Sequence, residues 1–228
     1  MFILGKEKKE YSTEMVPKII QQGAEAILLQ NKNLILKKRI EKSYRINEID
    51  EKIRKLRTKA ESKLLIKASK LIPTPKIIEV KEKDKEIEME FISGKKLSDY
   101  LNKFNLKEQI NICKKIGKNI AKLHQEDIIH GDLTTSNMIL KNPSKKKNPK
   151  EKLGCLYFID YGLGYIGPKI EDKAVELHLL REALEAKHFE HWEKLFKTIL
   201  IEYKKNYQEA DKVIERLKAV EKRGRYKH

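Results

Sequence analysis

The sequence predicts an α+β fold of two lobes, in which a small antiparallel sheet with one long helix precedes a mostly helical second lobe. Three observations indicate this. Short apolar runs fill much of the first 92 residues, the later segments repeat apolar residues every three or four positions, and MEFISG forms a short connector between the two regions. We expect an extension or linker remnant at 1–18, lobes at 19–92 and 93–220, and a basic tail at 221–228.

Charge and cysteine content narrow the class of protein. Among 228 residues, 51 are Lys or Arg and 34 are Asp or Glu, a net charge of +17. That balance favours a polyanionic partner such as nucleic acid, although solubility or a thermophilic composition also produces it. Cys113 and Cys155 read as small core residues in a reducing cytoplasm. Because no apolar run approaches the roughly 20 residues of a membrane span, we expect a soluble, cytoplasmic protein.

The first strands, AEAILLQ and NLILKKR, read as a hairpin entered through Gly23, Ala24, Glu25 and Ala26. Loops that cover nucleotide phosphates are rich in glycine, because only glycine lets backbone amides come close to the phosphates. With the single Gly23, this stretch is either a reduced phosphate flap or a plain turn, and alone it favours the turn.

Lys37 ends the apolar part of the second strand, and a helix is predicted from about Asn47 to Leu71. Glu61 borders the apolar stripe of that helix, so an ion pair between Lys37 and Glu61 would suit the positioning of a triphosphate. A solvated strand end and a solvated glutamate are the competing interpretation. The predicted stripe consists of Ile53, Leu56, Ala60, Leu64, Ala68 and Leu71.

Residues 37–59 hold ten Lys or Arg against four Asp or Glu, a face that suits RNA phosphates or an acidic protein.

After Pro73 and Pro75, the stretches IIEVKE and KEIEMEFI alternate apolar and polar residues, as two paired antiparallel strands do. A helix follows from Leu106 to about Gln125, which we expect to form the core of the second lobe.

The most informative stretch is IIHGDLTTSNMIL. Asp132 is followed five positions later by Asn137, and a further strand ends at Asp160, in Asp-Tyr-Gly. Kinase catalytic loops share this spacing, with an Asp that orients the attacking oxygen and Asn and Asp ligands for Mg²⁺. Either motif alone is more often turn chemistry. Their occurrence together with Lys37 and Glu61, in the expected order, favours phosphoryl transfer within a protein kinase-like fold.

Only LGYIGPKI separates Asp-Tyr-Gly from the helix EDKAVELHLLREALEA, so the activation segment that holds peptides in conventional kinases is truncated.

The remaining segments give weaker signals. His188 and His191 have the spacing of a metal-binding pair without a nearby third ligand, and we expect them on the surface. The polar, Pro-containing NPSKKKNPKEK reads as a solvated hairpin tip. Helices near Trp192–Tyr207 and Ala210–Val220 precede a mobile cationic end around Arg223 and Arg225.

These motifs resemble one family. QGAEA, LKKRIEKSYR, RTKAESKLL, MEFISG, HGDLTTSN, FIDYGLG, EDKAVELHLLREA and RGR are similar to the atypical small kinase subunit of the KEOPS complex, the PRPK family, related to the RIO kinases. Tyr161 stands where Phe is usual, and residues 1–18 lie outside the match.

The resemblance implies an ATP-hydrolysing, self-phosphorylating serine/threonine kinase that supports threonylcarbamoyladenosine formation in tRNA. Its implied partners are a threonylcarbamoyl transferase subunit, possibly fused upstream, a small helical regulator, and tRNA contacted by Arg223 and Arg225. The implied roles are ATP positioning by Lys37 and Glu61, phosphate covering by Gly23–Ala26, adenine contact by the backbone of Glu90 and Ile92, catalysis by Asp132, and Mg²⁺ binding by Asn137 and Asp160.

Two rival functions remain. A small-molecule phosphotransferase shares H-G-D-x-x-x-x-N, but the cationic substrates of the aminoglycoside and choline types need an acidic pocket, which a chain of charge +17 does not suggest. A scaffold that binds nucleotide and tRNA with little turnover would fit the reduced flap and the truncated segment, yet every catalytic side chain is present.

Overall fold

The computed structural model describes residues 17–141 and 153–224. Within these ranges a sheet-containing lobe precedes a helical lobe, as the sequence predicts. The strands are β1 (Lys18–Gln22), β2 (Ala26–Asn31), β3 (Leu34–Arg39), β4 (Ile77–Lys81), β5 (Glu86–Glu90), β6 (Lys95–Lys96), β7 (Ile128–Ile129), β8 (Met138–Lys141), β9 (Cys155–Phe158) and β10 (Tyr165–Ile166). The α-helices are α1 (Asn47–Ser69), α2 (Leu97–Tyr100), α3 (Leu106–Gln125), α4 (Ile170–Lys187), α5 (Trp192–Asn206) and α6 (Ala210–Gly224).

The first lobe is a five-stranded antiparallel sheet in the order β1-β2-β3-β5-β4. The predicted β2–β3 hairpin is confirmed, and β1 adds an edge strand that starts at Lys18, inside the segment expected to be an extension. Alternation along β3 puts Ile35, Lys37 and Arg39 on one buried side and Lys38 on the other. The basic side chains of Lys37 and Arg39 are therefore turned toward the interior.

Helix α1 has the predicted position, but the predicted apolar stripe is wrong in its first half. Leu64 and Ala68 are buried, whereas Leu56 is 57% exposed. The helix packs on β4, with further contacts to β5. Its N-terminal half bonds the β4–β5 loop through Glu51 and Lys85 at 2.8 Å. There Asp50 is buried and bonded by Arg54 and Arg45, so ion pairs take the place of apolar packing.

The second lobe is built on α3, which is buried among the other helices. Its start is fixed by a capping box: Glu108 N donates to Asn105 Oδ1 at 3.0 Å, and Asn105 N donates to Glu108 Oε2 at 3.2 Å. The helix packs closely on α5. At Gly117 the approach is so close that a Cβ would overlap the Ile199 carbonyl oxygen.

Two small sheets lie beneath the first lobe. One has the order β6-β8-β9 and the other pairs β7 with β10. The tip of the β8–β9 hairpin, predicted to be solvated, lies outside the described residues.

The two cysteines differ in their surroundings. Cys113 is buried, which raises its thiol pKa to about 12. The expectation of a core position is wrong for Cys155, which is exposed at the start of the short β9.

The C-terminal helices pack on α3 and on each other. The surface expectation is wrong for His188: it is buried, with Nδ1 2.7 Å from Asn102 Oδ1 and Nε2 3.0 Å from Thr135 Oγ1. Burial, and to a smaller extent Lys187, lowers the pKa of His188 to about 4.

The C-terminal end differs from the expectation of a mobile segment. Arg223 lies in α6 and bonds Glu171 at 2.9 Å, and Arg225 is outside the described residues. None of the described helices has the length and apolar character needed to cross a membrane.

Candidate active site

A cleft separates the sheet from the helical lobe, and both lobes contribute its walls. Its main cavity has a volume of about 350 Å³. Apolar side chains from the sheet form the roof, among them Leu28, Ile35 and Met89, and polar side chains from the loops of the second lobe form the floor. The cavity is lined by the predicted ATP-positioning pair, the predicted catalytic residue and the two predicted metal ligands: Lys37, Glu61, Asp132, Asn137 and Asp160.

An ion-pair network crosses the cleft from β3. Lys37 Nζ lies 2.6 Å from Glu61 Oε1 on α1 and 2.7 Å from Asp160 Oδ1 on the opposite lobe. The predicted pair of Lys37 and Glu61 is thus present, with Lys37 8% and Glu61 2% exposed. Lys38 instead meets Glu86 at 2.9 Å, with its side chain 54% exposed. The strand register therefore selects Lys37 as the cation of the cleft.

The sequence interpretation gave no role to Arg39, the last residue of the strand end for which solvation was the competing interpretation. It is 5% exposed, and its Nη2 lies 2.5 Å from Glu61 Oε2. Two residues apart on a strand, Lys37 and Arg39 point the same way. This period of two was the signal that could have identified Arg39.

The network shifts the acid-base behaviour of its members. Burial acts to lower the pKa of Lys37, but the carboxylates of Glu61 and Asp160 outweigh burial and raise it. Burial acts to raise the pKa of Asp160, but the charge and hydrogen bond of Lys37 outweigh burial and lower it. Lys37 thus stays a cation and Asp160 a carboxylate at neutral pH.

The predicted catalytic loop places Asp132 and Asn137 side by side. Asn137 Nδ2 donates to Asp132 Oδ2 at 2.8 Å and to the Asp132 carbonyl at 2.9 Å. A short 3₁₀ turn at Thr135–Asn137 brings the amide back to the carboxylate. Because Asn137 bonds through its nitrogen, its Oδ1 is the atom with acceptor capacity left over.

A buried network supports the loop from below, and the sequence interpretation did not identify it. Glu176 Oε1 accepts from Gly131 N at 2.8 Å, and Oε2 lies 2.9 Å from His124 Nε2. His124 Nδ1 is 2.8 Å from the Tyr203 hydroxyl. Helices α3, α4 and α5 thereby hold one backbone amide next to Asp132. Glu176 lies within EDKAVEL, a motif that the sequence tied to no role in the site.

The strand that carries Asp160 is tied to the same loop. Ile159 N donates to the Asn137 carbonyl at 2.9 Å, and His130 Nε2 lies 3.0 Å from the Ile159 carbonyl. Asp160 itself has φ +62°, an uncommon backbone conformation for a residue other than glycine. Such conformations concentrate at functional sites, and here it faces the Asp160 carboxylate toward Lys37.

The Gly23–Ala26 turn covers one end of the cleft, around a second cavity of about 220 Å³. Gly23 N donates to the Ala26 carbonyl at 2.9 Å, so the turn is compact. Lys42 Nζ bonds the Ala24 carbonyl, and Arg57 Nη1 lies 2.5 Å from Glu25 Oε2. The turn is thus attached to α1 and to the loop before it, over the same cavity that Lys37 and Asp160 line.

The connector closes the other end of the cleft, where Glu90 and Ile92 line the main cavity. Glu90 N donates to the Lys76 carbonyl at 2.8 Å, so its carbonyl is the backbone group that Glu90 can offer a ligand. The Glu90 side chain lies 3.0 Å from Lys141 Nζ on β8. This ion pair joins the connector to the second lobe.

The segment after Asp160 is short and paired. Residues 163–169 include β10, whose Tyr165 and Ile166 pair with Ile129 and Ile128. Gly131 has φ +79°, and a Cβ there would overlap the Leu163 carbonyl. The catalytic loop and this segment therefore lie in direct backbone contact.

The described residues contain no cluster of three or more His, Cys, Asp or Glu side chains able to hold a metal. Mg²⁺ in phosphoryl-transfer enzymes does not need such a cluster, because one or two protein oxygens and the substrate phosphates complete its shell. The Asn137 amide oxygen and the Asp160 carboxylate, on two segments joined by the bond from Ile159 N, fit that requirement. The site suits a magnesium nucleotide better than an isolated ion.

The chain is similar in sequence to known proteins. A family model described as protein tyrosine and serine/threonine kinase matches residues 18–153, more than half of the chain. The KEOPS complex subunit Bud32 of Pyrococcus abyssi is 38% identical over 223 residues, covering 92% of this chain and 96% of that protein. A probable serine/threonine-protein kinase BUD32 homolog of Archaeoglobus fulgidus is 37% identical over 205 residues, covering 90% of this chain and 94% of that protein.

A third relative is longer. The probable bifunctional tRNA threonylcarbamoyladenosine biosynthesis protein of Methanobrevibacter smithii is 43% identical over 217 residues, covering 92% of this chain and 37% of that protein. The chain thus spans about a third of this bifunctional relative and nearly all of the two shorter ones.

Solved structures agree on the fold. The complex of Rio2 kinase with ADP, Mg²⁺ and phosphoaspartate from Chaetomium thermophilum has a TM-score of 0.59 and 14% identity, covering 96% of this chain and 72% of that one. The streptomycin-ATP-APH(2")-IIa ternary complex has a TM-score of 0.58 and 12% identity, covering 89% and 81%. At such low identities the likeness concerns the fold alone.

Proposed function

The chain belongs to the Bud32 family of protein kinases, and from this premise we propose that it transfers or hydrolyses the γ-phosphate of ATP in support of threonylcarbamoyladenosine formation in tRNA. The observation that carries the proposal is the convergence of Lys37, Glu61, Asp132, Asn137 and Asp160 on one cavity. These side chains come from distant parts of the chain, and together they form the set that phosphoryl transfer requires.

Each residue takes one role in the proposal. Lys37, held by Glu61, contacts the α- and β-phosphates, and the Gly23–Ala26 turn covers the phosphates. The Glu90 carbonyl and the Ile92 backbone face the adenine. Asn137 and Asp160 would hold Mg²⁺, which neutralises charge on the phosphates when bound.

Asp132 orients the attacking oxygen and accepts its proton. That oxygen belongs to water in hydrolysis or to a hydroxyl of the protein in self-phosphorylation; its bond to the γ-phosphorus forms as the bond to the β-phosphate oxygen breaks and ADP leaves. The bond from Asn137 Nδ2 fixes one carboxylate oxygen of Asp132 at 2.8 Å and leaves the other for the nucleophile.

The partners proposed are a threonylcarbamoyl transferase subunit, a small helical regulatory subunit and tRNA. Support comes from two relatives, a KEOPS complex subunit and a bifunctional tRNA threonylcarbamoyladenosine biosynthesis protein, and from the net charge of +17. Arg223 and Arg225 are proposed tRNA contacts. Arg223 is bonded to Glu171, so tRNA phosphates would have to compete with that carboxylate for its guanidinium.

The test is phosphate release from Mg-ATP, measured with and without the transferase subunit and tRNA. We expect turnover that these partners stimulate, and a loss of about 10²–10⁴-fold in Asp132→Asn, the usual contribution of a positioned general base. Asp211→Asn is the matched control, because that carboxylate is 73% exposed on α6 and pairs with Lys204.

Turnover of bound nucleotide separates the proposal from its main rival. If the wild type binds Mg-ATP tightly but in every combination neither releases phosphate nor incorporates it into protein, the chain is a nucleotide-binding scaffold and the proposed activity is refuted. Turnover that survives in Asp132→Asn would remove the role given to Asp132.

A further inference from the structure

Glu61 has two cationic partners in the described structure, one for each carboxylate oxygen. Lys37 Nζ takes Oε1 at 2.6 Å and Arg39 Nη2 takes Oε2 at 2.5 Å. All three residues are less than 9% exposed. The pair expected from the sequence is thus a triad, in which the third member has no role in the function proposed above.

The triad matters because Lys37 is shared. Its ammonium also lies 2.7 Å from Asp160, so one cation serves two carboxylates. When phosphates enter, Lys37 must turn part of its hydrogen-bonding capacity toward them. A buried carboxylate that loses its only cation is strongly destabilised, and a permanent second cation prevents that.

Arg39 is suited to be this permanent cation. A guanidinium does not deprotonate in a protein, and it bonds a carboxylate with fixed geometry. Strand pairing also holds Arg39 in place, since its N donates to the Lys85 carbonyl at 3.1 Å and it lies opposite Ala26 of the flap. Its Nε is buried without a hydrogen-bond partner in the described residues, so Glu61 is the polar anchor of its side chain there.

Its location connects the triad to the phosphates. Arg39 lines the cavity beneath the Gly23–Ala26 turn, together with Lys37, Asp132 and Asp160. Arg39 and Lys37 therefore lie beside the place where a triphosphate would bind. We propose that Arg39 is a positioning residue: it holds Glu61 in place so that Lys37 can engage the nucleotide phosphates. This inference rests on the proposed binding of Mg-ATP.

The test is a double-mutant cycle read out as the Kd of Mg-ATP. We expect Arg39→Met to weaken binding about tenfold, within the usual range of coupling between contacting residues, and Arg39→Lys to restore most of the affinity. The double variant Arg39→Met/Glu61→Gln should bind no more than twofold worse than Glu61→Gln, because Arg39 acts through Glu61. Lys38→Met is the control, since its side chain points away from the cleft.

Two outcomes would overturn the proposal: unchanged affinity in Arg39→Met, or losses from Arg39→Met and Glu61→Gln that multiply. Circular dichroism checks folding, and Arg39→Gln replaces Arg39→Met if the latter does not fold. The result is independent of catalysis. A wild type that binds Mg-ATP but neither releases phosphate nor becomes phosphorylated refutes the proposed activity, while the cycle still decides the role of Arg39.

Discussion

Replacing Lys37 tests the strand register and the cleft together. Lys37→Ala removes a buried ammonium from two carboxylates, and removing one partner of a buried ion pair costs about 3–5 kcal/mol. Two features reduce that cost: Glu61 keeps Arg39 at 2.5 Å, and the Asp160 side chain is 44% exposed, so water reaches it. We therefore expect a loss of about 2–3 kcal/mol in the free energy of unfolding.

For a chain of this length, each kcal/mol lowers Tm by about 2–4 °C, so Lys37→Ala should melt about 4–12 °C lower. Phosphate release should fall by about 10²–10³, the usual cost of removing a preorganised group that stabilises the transition state. Both are measured on one preparation, by thermal unfolding and by phosphate release under saturating Mg-ATP.

Lys38→Ala is the matched control one position along the strand. It removes an ion pair with Glu86 in which the Lys38 side chain is 54% and the Glu86 side chain 12% exposed. Such a partly exposed pair contributes about 1 kcal/mol, so Tm and turnover should change much less than in Lys37→Ala. If Lys38→Ala were the damaging substitution, or if Lys37→Ala kept both stability and turnover, the register of β3 and the role of its cation would be refuted.

Two further predictions concern stability. Because Lys37 holds the pKa of Asp160 below its ordinary value of 3.8, this carboxylate contributes stability above that value and loses it as pH falls through the lower folded-state value. Asp160→Asn should therefore lose less stability than the wild type on acidification below pH 3.8, measured by denaturant unfolding; parallel profiles would contradict the ion pair. Gly117→Ala should destabilise the protein by about 1–3 kcal/mol through overpacking against the Ile199 carbonyl, seen as a lower urea midpoint. Gly23→Ala is its control, since a Cβ there lies 3.5 Å from the Ala26 oxygen, and equal midpoints in the two variants would refute the close approach of α3 and α5.

The fold and the central residues of the site were open to prediction because short-range patterns encode them. The five-residue step from Asp132 to Asn137 is a local loop property. Lys37 ends an apolar run that predicts a strand. Because side chains alternate along a strand, Lys37 and Lys38 must face opposite sides. The two-lobed α+β fold is confirmed by the antiparallel sheet, the helical lobe and the kinase-fold neighbours.

The incorrect predictions share a physical cause. A polar side chain that is buried by partners from distant parts of the chain cannot be told from a solvated one in the sequence. Arg39 stands in a basic run, but Glu61 is 22 positions away and reaches it only after α1 folds onto the sheet. His188 is buried because Asn102 and Thr135, from distant segments, satisfy its ring. Leu56 shows the converse, since it belongs to a regular helical stripe of apolar residues and is nevertheless 57% exposed.

The short segment after Asp160 has a consequence for how such an enzyme responds to its surroundings. Its strand pairs with β7 and Gly167 N donates to the Asp127 carbonyl at 2.8 Å, so backbone hydrogen bonds within the chain hold the segment in place. A kinase that is activated by phosphorylation stays active after the signal has ended, until a phosphatase removes the phosphate group. A chain with this segment already in place would instead follow its binding partners by mass action, and its output would rise and fall with their occupancy.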